Sequence, residues 1–201
     1  FEECEGRAIK SQVVGNAIGQ AIIRRSLYDG IVEINLQYGG GSVMAPKIFH
    51  DGYSCTTSII GISQRLLPLT HQCSVVAPEL HITGSPATDT PAMVTTDVTD
   101  ATVALRGVTV RDVKVFGAVD TLVSCRVANV ADVNHIKIFG CWAETINTAF
   151  VTGSLFGSAR GQLTITAKDN GCENGCTGLS IPASYDVKVV EDISNENITP
   201  I

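Results

Sequence analysis

Apolar and polar positions alternate most regularly between Ala101 and Trp142. Along Val108–Val115 the residues Val108, Val110, Val113 and Val115 are apolar and Thr109, Arg111, Asp112 and Lys114 are polar, a near period of two with one slip at Arg111-Asp112. That period sends alternate side chains to opposite faces of a strand, and one slip predicts a bulge or kink. Two further strand-like runs follow, Thr121–Val130 and His135–Phe139, the second closing on Gly140-Cys141-Trp142. No helical period competes here, so the stretch is read as β.

The rest of the chain reads the same way. In Val13–Ile23 two glycines interrupt an apolar run, which predicts a bent strand, with a short helix from Asn16 to Arg25 as the alternative. Tyr28-Asp29-Gly30 signals a turn before a strand over Ile31–Leu36. Gly39-Gly40-Gly41-Ser42 is read as a loose hairpin loop, because Val43–Phe49 and Cys55–Ile62 continue as strands after it. Cys73–Gly84 is another strand. Thr148–Phe156 and Gly161–Thr166 are expected to form a strand pair, Asn170–Gly178 a tight loop, and Leu179–Ile181 and Tyr185–Val190 the last strands.

Residues 85–91 turn polar and carry two prolines, the composition of a hinge. This divides a β-rich module, 1–84, from a second module, 92–193, with a polar tail over 194–201. Roughly twelve short strands with turn signals about every ten residues predict an all-β fold of antiparallel β-sandwich modules. The alternative is a right-handed parallel β-helix, in which Thr102–Val115, Thr121–Val130 and Asn134–Phe139 are successive rungs stacking Val and Ile in register, and such a chain would be an adhesin, a fibre or a polysaccharide-binding protein or lyase.

Composition narrows the function classes. Of 201 residues 44% are hydrophobic and 17% charged, with 19 Gly and 7 Pro, a globular, turn-rich profile. A formal net charge of −6 offers no basic surface, and 5% aromatic residues are too few for base-stacking platforms, so no nucleic-acid partner is expected. Seven cysteines suit an oxidising compartment. Their intervals suggest Cys55 with Cys73, Cys125 with Cys141 and Cys172 with Cys176, leaving Cys4 single; buried reduced thiols are the alternative. No apolar run is long enough to span a membrane, and no signal peptide opens the chain at Phe1-Glu2-Glu3. The expectation is a mature product or excised ectodomain, extracellular or on a virion surface, whose anchor lies elsewhere.

Chemistry-bearing constellations are sparse. His50, His71, His81 and His135 show none of the close pairs that zinc enzymes use, and Cys172 to Cys176 lacks a second ligand pair. No Gly-x-Ser-x-Gly elbow occurs, and the glycines at 39–41 are not followed by a P-loop Lys-Ser/Thr. Asp97 with Asp100 and Glu191 with Asp192 read as turn and surface residues. The chain is therefore expected to be neither an enzyme nor a cofactor or metal binder. Asn197-Ile198-Thr199 is a glycosylation sequon, weakened by Pro200.

The run Ile31–Leu36, a glycine loop, Asp51-Gly52, and Ile59-Ile60-Gly61-Ile62-Ser63 closing on Leu67-Pro68-Leu69 resembles a segment of the phlebovirus-like Gc (class II) envelope fusion glycoproteins of viruses and retroelements. Met93–Val115, Val123-Ser124-Cys125 and Gly140-Cys141-Trp142 resemble that family's last ectodomain module. The resemblance is partial and includes no cysteine-rich, aromatic fusion loop. It implies a structural ectodomain portion acting in membrane fusion or cell entry, oligomeric with itself or a companion glycoprotein, and in contact with a host surface or membrane. His81 and His135 would then be pH-sensing groups, since imidazoles titrate in the mildly acidic range.

Overall fold

The computed structural model describes residues 9–11, 17–19, 22–26, 32–36, 42–50, 60–64, 73–82, 94–98, 108–127, 133–155, 161–180, 185–191 and 195–200. Among them every regular element is a strand. β1 (Ile9–Ser11) is followed by β2 (Ala17–Gly19), β3 (Ile22–Ser26) and β4 (Val32–Leu36). The same threefold sequence recurs as β5 (Ser42–Met44), β6 (Lys47–His50) and β7 (Ile60–Gln64), then as β8 (Cys73–Val76), β9 (Glu79–Ile82) and β10 (Val94–Val98). In the next two circuits the second and third runs merge: β11 (Val108–Arg111) leads into β12 (Lys114–Val127), and β13 (Val133–Phe139) into β14 (Trp142–Leu155). β15 (Gly161–Lys168), β16 (Gly171–Cys176) and β17 (Leu179–Ser180) follow, then β18 (Tyr185–Glu191) and β19 (Glu196–Ile198).

Every pairing is parallel, and no strand pairs with its neighbour in sequence. A 7-stranded sheet runs β18-β15-β13-β11-β8-β5-β2. A 12-stranded sheet carries the remaining strands. It forks at β12, whose first residues pair with β9 and whose last pair with β10. One circuit of the chain thus lays one strand on the smaller sheet and two strand runs on the larger, and the next circuit lies directly upon it.

This overturns the antiparallel β-sandwich, and with it the architecture that the class II fusion resemblance implies. Antiparallel sandwiches are built from hairpins between consecutive strands, whereas parallel neighbours need a long connection between them. The expected pair of Thr148–Phe156 with Gly161–Thr166 is not formed: β14 bonds β12, β16 and β17, and β15 bonds β13 and β18. The connectivity is of the crossover kind seen in α/β sheets, yet no helix occurs among the described residues. Parallel stacking is the finding; a right-handed β-helix is a narrower reading of it. Residues 85–91, read as a hinge, lie outside the described residues, but the strands before and after them pair directly, β8 with β11 and β9 with β12. In the expected polar tail, β19 pairs with β16.

The kink foreseen at Arg111-Asp112 is a corner that recurs in five successive circuits. Ala45, Ala77, Asp112, Gly140 and Asp169 all have positive φ, from 47° to 61°, at intervals of roughly thirty residues. Each is followed by a buried residue, in order Pro46, Pro78, Val113, Cys141 and Asn170. The corners are bonded to one another: Ala45 N donates to Val76 O, Ala77 N to Arg111 O, Asp112 N to Phe139 O and Gly140 N to Lys168 O, all within 2.7 to 3.0 Å. The left-handed residue turns the chain from one sheet to the other. It also breaks the expected single strands Val43–Phe49 and Cys73–Gly84 in two.

Because the register is kept from circuit to circuit, inward residues form columns. Val43, Val75, Val110, Ile138 and Ala167 stack on the smaller sheet, and Ile48, Leu80, Val115, Ala143 and Cys172 on the larger. All ten are 0–1% exposed. Burying each valine or larger aliphatic in these columns contributes about 1.5–3 kcal/mol. Since a column is shared between circuits, no circuit has a core of its own.

Candidate functional site

The outward residues of the same strands stack too, and on β6, β9, β12 and β14 they build an aromatic ladder. Phe49 pairs in register with His81, and His81 with Phe116. The His81 ring lies between them, with centroids at 4.7 and 4.8 Å and interplanar angles of 10° on both sides. Parallel strands in register repeat at about 4.8 Å, so stacked planar rings follow directly from the strand spacing. The ladder continues to Trp142, 5.5 Å from Phe116 and tilted by 55°. Trp142 is in register with Lys114, so its ring meets Phe116 diagonally, beside the irregular register between Val115 and Ala118, where Gly117, at φ 94°, donates its N–H to Glu144 Oε2 at 2.7 Å. Beyond Trp142 the next circuit places Gly171 in register, where a side chain would be in ordinary contact with the indole edge.

A charged column flanks the ladder. Lys47, Glu79 and Lys114 are in register, alternating in sign. Glu79 Oε2 is 3.1 Å from Lys47 Nζ, and Glu79 Oε1 accepts from His81 Nε2 at 2.7 Å. The His81 hydrogen bond first, and that of Lys47 second, hold the Glu79 carboxyl below its ordinary value. Phe116, 36% exposed, is the ladder's most open ring. Because neighbouring rings occupy one another's faces, the strip offers solvent aromatic edges beside charged groups. Such a strip can make edge-on aromatic and charged contacts, with Glu79 already engaged in ion pairing.

The residues singled out from sequence do not converge. His81 is central to the ladder, whereas His135 lies on β13 of the other sheet, its Nε2 3.3 Å from Thr166 Oγ1. Burial first, and the Lys137 charge second, lower the His135 pKa. Cys141, Cys172 and Cys176 carry free thiols. Cys141 Sγ points to the Phe139 and Val110 carbonyls at 3.4 and 3.9 Å, and burial pushes its pKa up to about 12. Cys4, Cys55, and the side chains of Cys73 and Cys125 lie outside the described residues. Asn197 is exposed at φ 56° on β19. Among the described residues no group of three or more His, Cys, Asp or Glu is placed to hold a metal ion.

Sequence reasoning missed Phe49, Phe116 and Trp142 although a signal was present. The segments Ala45-Pro46-Lys47-Ile48-Phe49, Ala77-Pro78-Glu79-Leu80-His81 and Asp112-Val113-Lys114-Val115-Phe116 are one repeat: corner, buried residue, charge, buried residue, ring. Short degenerate repeats become visible once the corner is known to recur. Compared with family models, curated proteins and solved structures, the chain matches none.

Proposed function

We propose that this chain is a non-catalytic structural segment of a surface fibre or adhesin, extracellular, acting by presenting a rigid stacked wall to its partners. The observation that carries this reading is the register itself: the inward aliphatic columns and the outward Phe49–His81–Phe116 ladder follow one register through successive circuits. Such a wall repeats its surface chemistry along the stacking direction, which suits an extended partner or a second copy better than a small substrate. The membrane-fusion reading rested on antiparallel modules and is set aside with them.

Antibody labelling of intact cells or particles from the native source, paired with incubation of the purified chain with a panel of polysaccharides, tests the proposal. Labelling without permeabilisation and no shortening of any polysaccharide is the expected result. Labelling only after permeabilisation, or release of shortened polysaccharide, would overturn it.

A further inference from the structure

Cys172 and Cys176 are four residues apart on β16, and in an extended strand their side chains would be about 13 Å apart. The chain is not extended there. Gly171 pairs with Glu196 and Cys176 with Ile198, so β16 inserts a bulge of extra residues opposite the short run of β19. Gly175, at φ 74°, turns the bulge back. Asn174 Nδ2 anchors it by donating to Thr145 Oγ1 at 2.8 Å. Because these two pairings lie only two residues apart on β19, the bulge brings Cys176 back towards Cys172. Cys172 is 1% exposed in the core, while Cys176 is half-buried at its margin.

The Cys176 backbone is also the anchor of the last strand. Its carbonyl accepts from Thr199 N at 3.0 Å and from Thr199 Oγ1 at 3.2 Å, and Thr199 Oγ1 accepts from Gly178 N at 2.9 Å. Whatever stiffens the bulge therefore stiffens the attachment of β19.

We propose that Cys172 and Cys176 form a reversible dithiol latch, oxidised by small disulfides of the glutathione class, that fixes β19 to the stack. The Cys176 thiolate, on the exposed side, attacks one sulfur of the oxidant disulfide and releases one thiolate, leaving a mixed disulfide. The Cys172 thiolate then attacks the Cys176 sulfur and releases the second. Two electrons pass from the protein thiols to the oxidant, and the two protons that they lose end on the two small thiols. Burial, with Cys172 alongside, raises the Cys176 pKa to about 12, so exchange is slow at neutral pH and quickens as the solution becomes alkaline.

The fully reduced chain, incubated with oxidised glutathione at about pH 7 and about pH 8.5, is quenched by alkylation and mapped by mass spectrometry. An internal disulfide in the peptide holding both residues, formed several-fold faster at the higher pH, is expected. Cys172→Ser should stop at a glutathione adduct on Cys176, and Cys176→Ser should take up no glutathione at this peptide. Circular dichroism of both variants matching the parent shows that the fold is kept. Amide exchange at Thr199 should slow in the oxidised form and return on reduction. Two free thiols after treatment at the higher pH, no adduct in Cys172→Ser, or unchanged Thr199 exchange would each overturn the latch.

Discussion

Asn195 Oδ1 accepts hydrogen bonds from both the backbone N–H and the side-chain amide of Asn170, each at 3.0 Å. Asn170 is 2% exposed at an inward corner position, and its other contacts reach the preceding circuit: its Oδ1 accepts from Cys141 N at 3.0 Å and its Nδ2 donates to Ile138 O at 3.1 Å. One amide thus joins three successive corners. Asn170→Ala leaves the Cys141 N–H without this acceptor in a dry interior, where such loss costs about 1–3 kcal/mol per group. A loss of about 2–4 kcal/mol in urea unfolding is expected.

Gly117 and Gly140 both have positive φ but differ in what a side chain would meet. A Cβ at Gly117 would lie 2.2 Å from the Ile82 carbonyl oxygen, which is backbone of the circuit below. At Gly140 it would approach only the Asp112 carboxylate, at 2.8 Å, an exposed group able to move. Moreover, Ala45 and Ala77 already occupy the equivalent corner. Gly140→Ala should therefore cost about 1 kcal/mol, and Gly117→Ala about 3 kcal/mol or more, read from thermal or urea unfolding.

Thr121 is 2% exposed, and among the described residues its Oγ1 has no hydrogen-bond partner. It sits at the second register irregularity of β12 against β14, opposite Ala149. Replacing an unsatisfied buried hydroxyl by a methyl of similar size removes a desolvation penalty. Thr121→Val is expected to stabilise the fold by about 1 kcal/mol, and a destabilisation in the same assay would contradict the assigned environment.

Acid should weaken the fold in two stages. The His135 pKa is lowered by burial and by Lys137, so the unfolded chain takes up that proton first. Its contribution is complete above about pH 6.5 and declines as the pH falls below that value towards the lower folded pKa. Glu79, lowered chiefly by His81 and then Lys47, contributes fully above about pH 4.5, a contribution lost as the pH falls through its folded value. Melting temperature against pH should show both declines. His135→Gln should remove the upper one alone and Glu79→Gln the lower one alone.

The chain by itself determined where several strands run and which of their residues face inward, although Asn170–Gly178, read as a tight loop, holds β16. Val108, Val110, Val113 and Val115 are buried as their alternation requires, and the slip between them is the corner at Asp112. His135–Phe139 lies within β13, and Tyr185–Val190 within β18. Alternation is a property of one strand, set by the opposed directions of successive side chains, so the residues concerned are sufficient to encode it. The tertiary structure alone decided what each strand lies beside. An inward valine column is equally well served by an antiparallel or a parallel neighbour, so the same pattern is compatible with a hairpin sandwich and with stacked circuits. The choice rests on the corners, where left-handed residues about thirty positions apart donate to the carbonyl just before the next one and carry the chain onward to a new circuit. The stacking of Phe49 on His81 and the meeting of Cys172 with Cys176 have the same origin, for both depend on strand register and a bulge, which no single strand specifies.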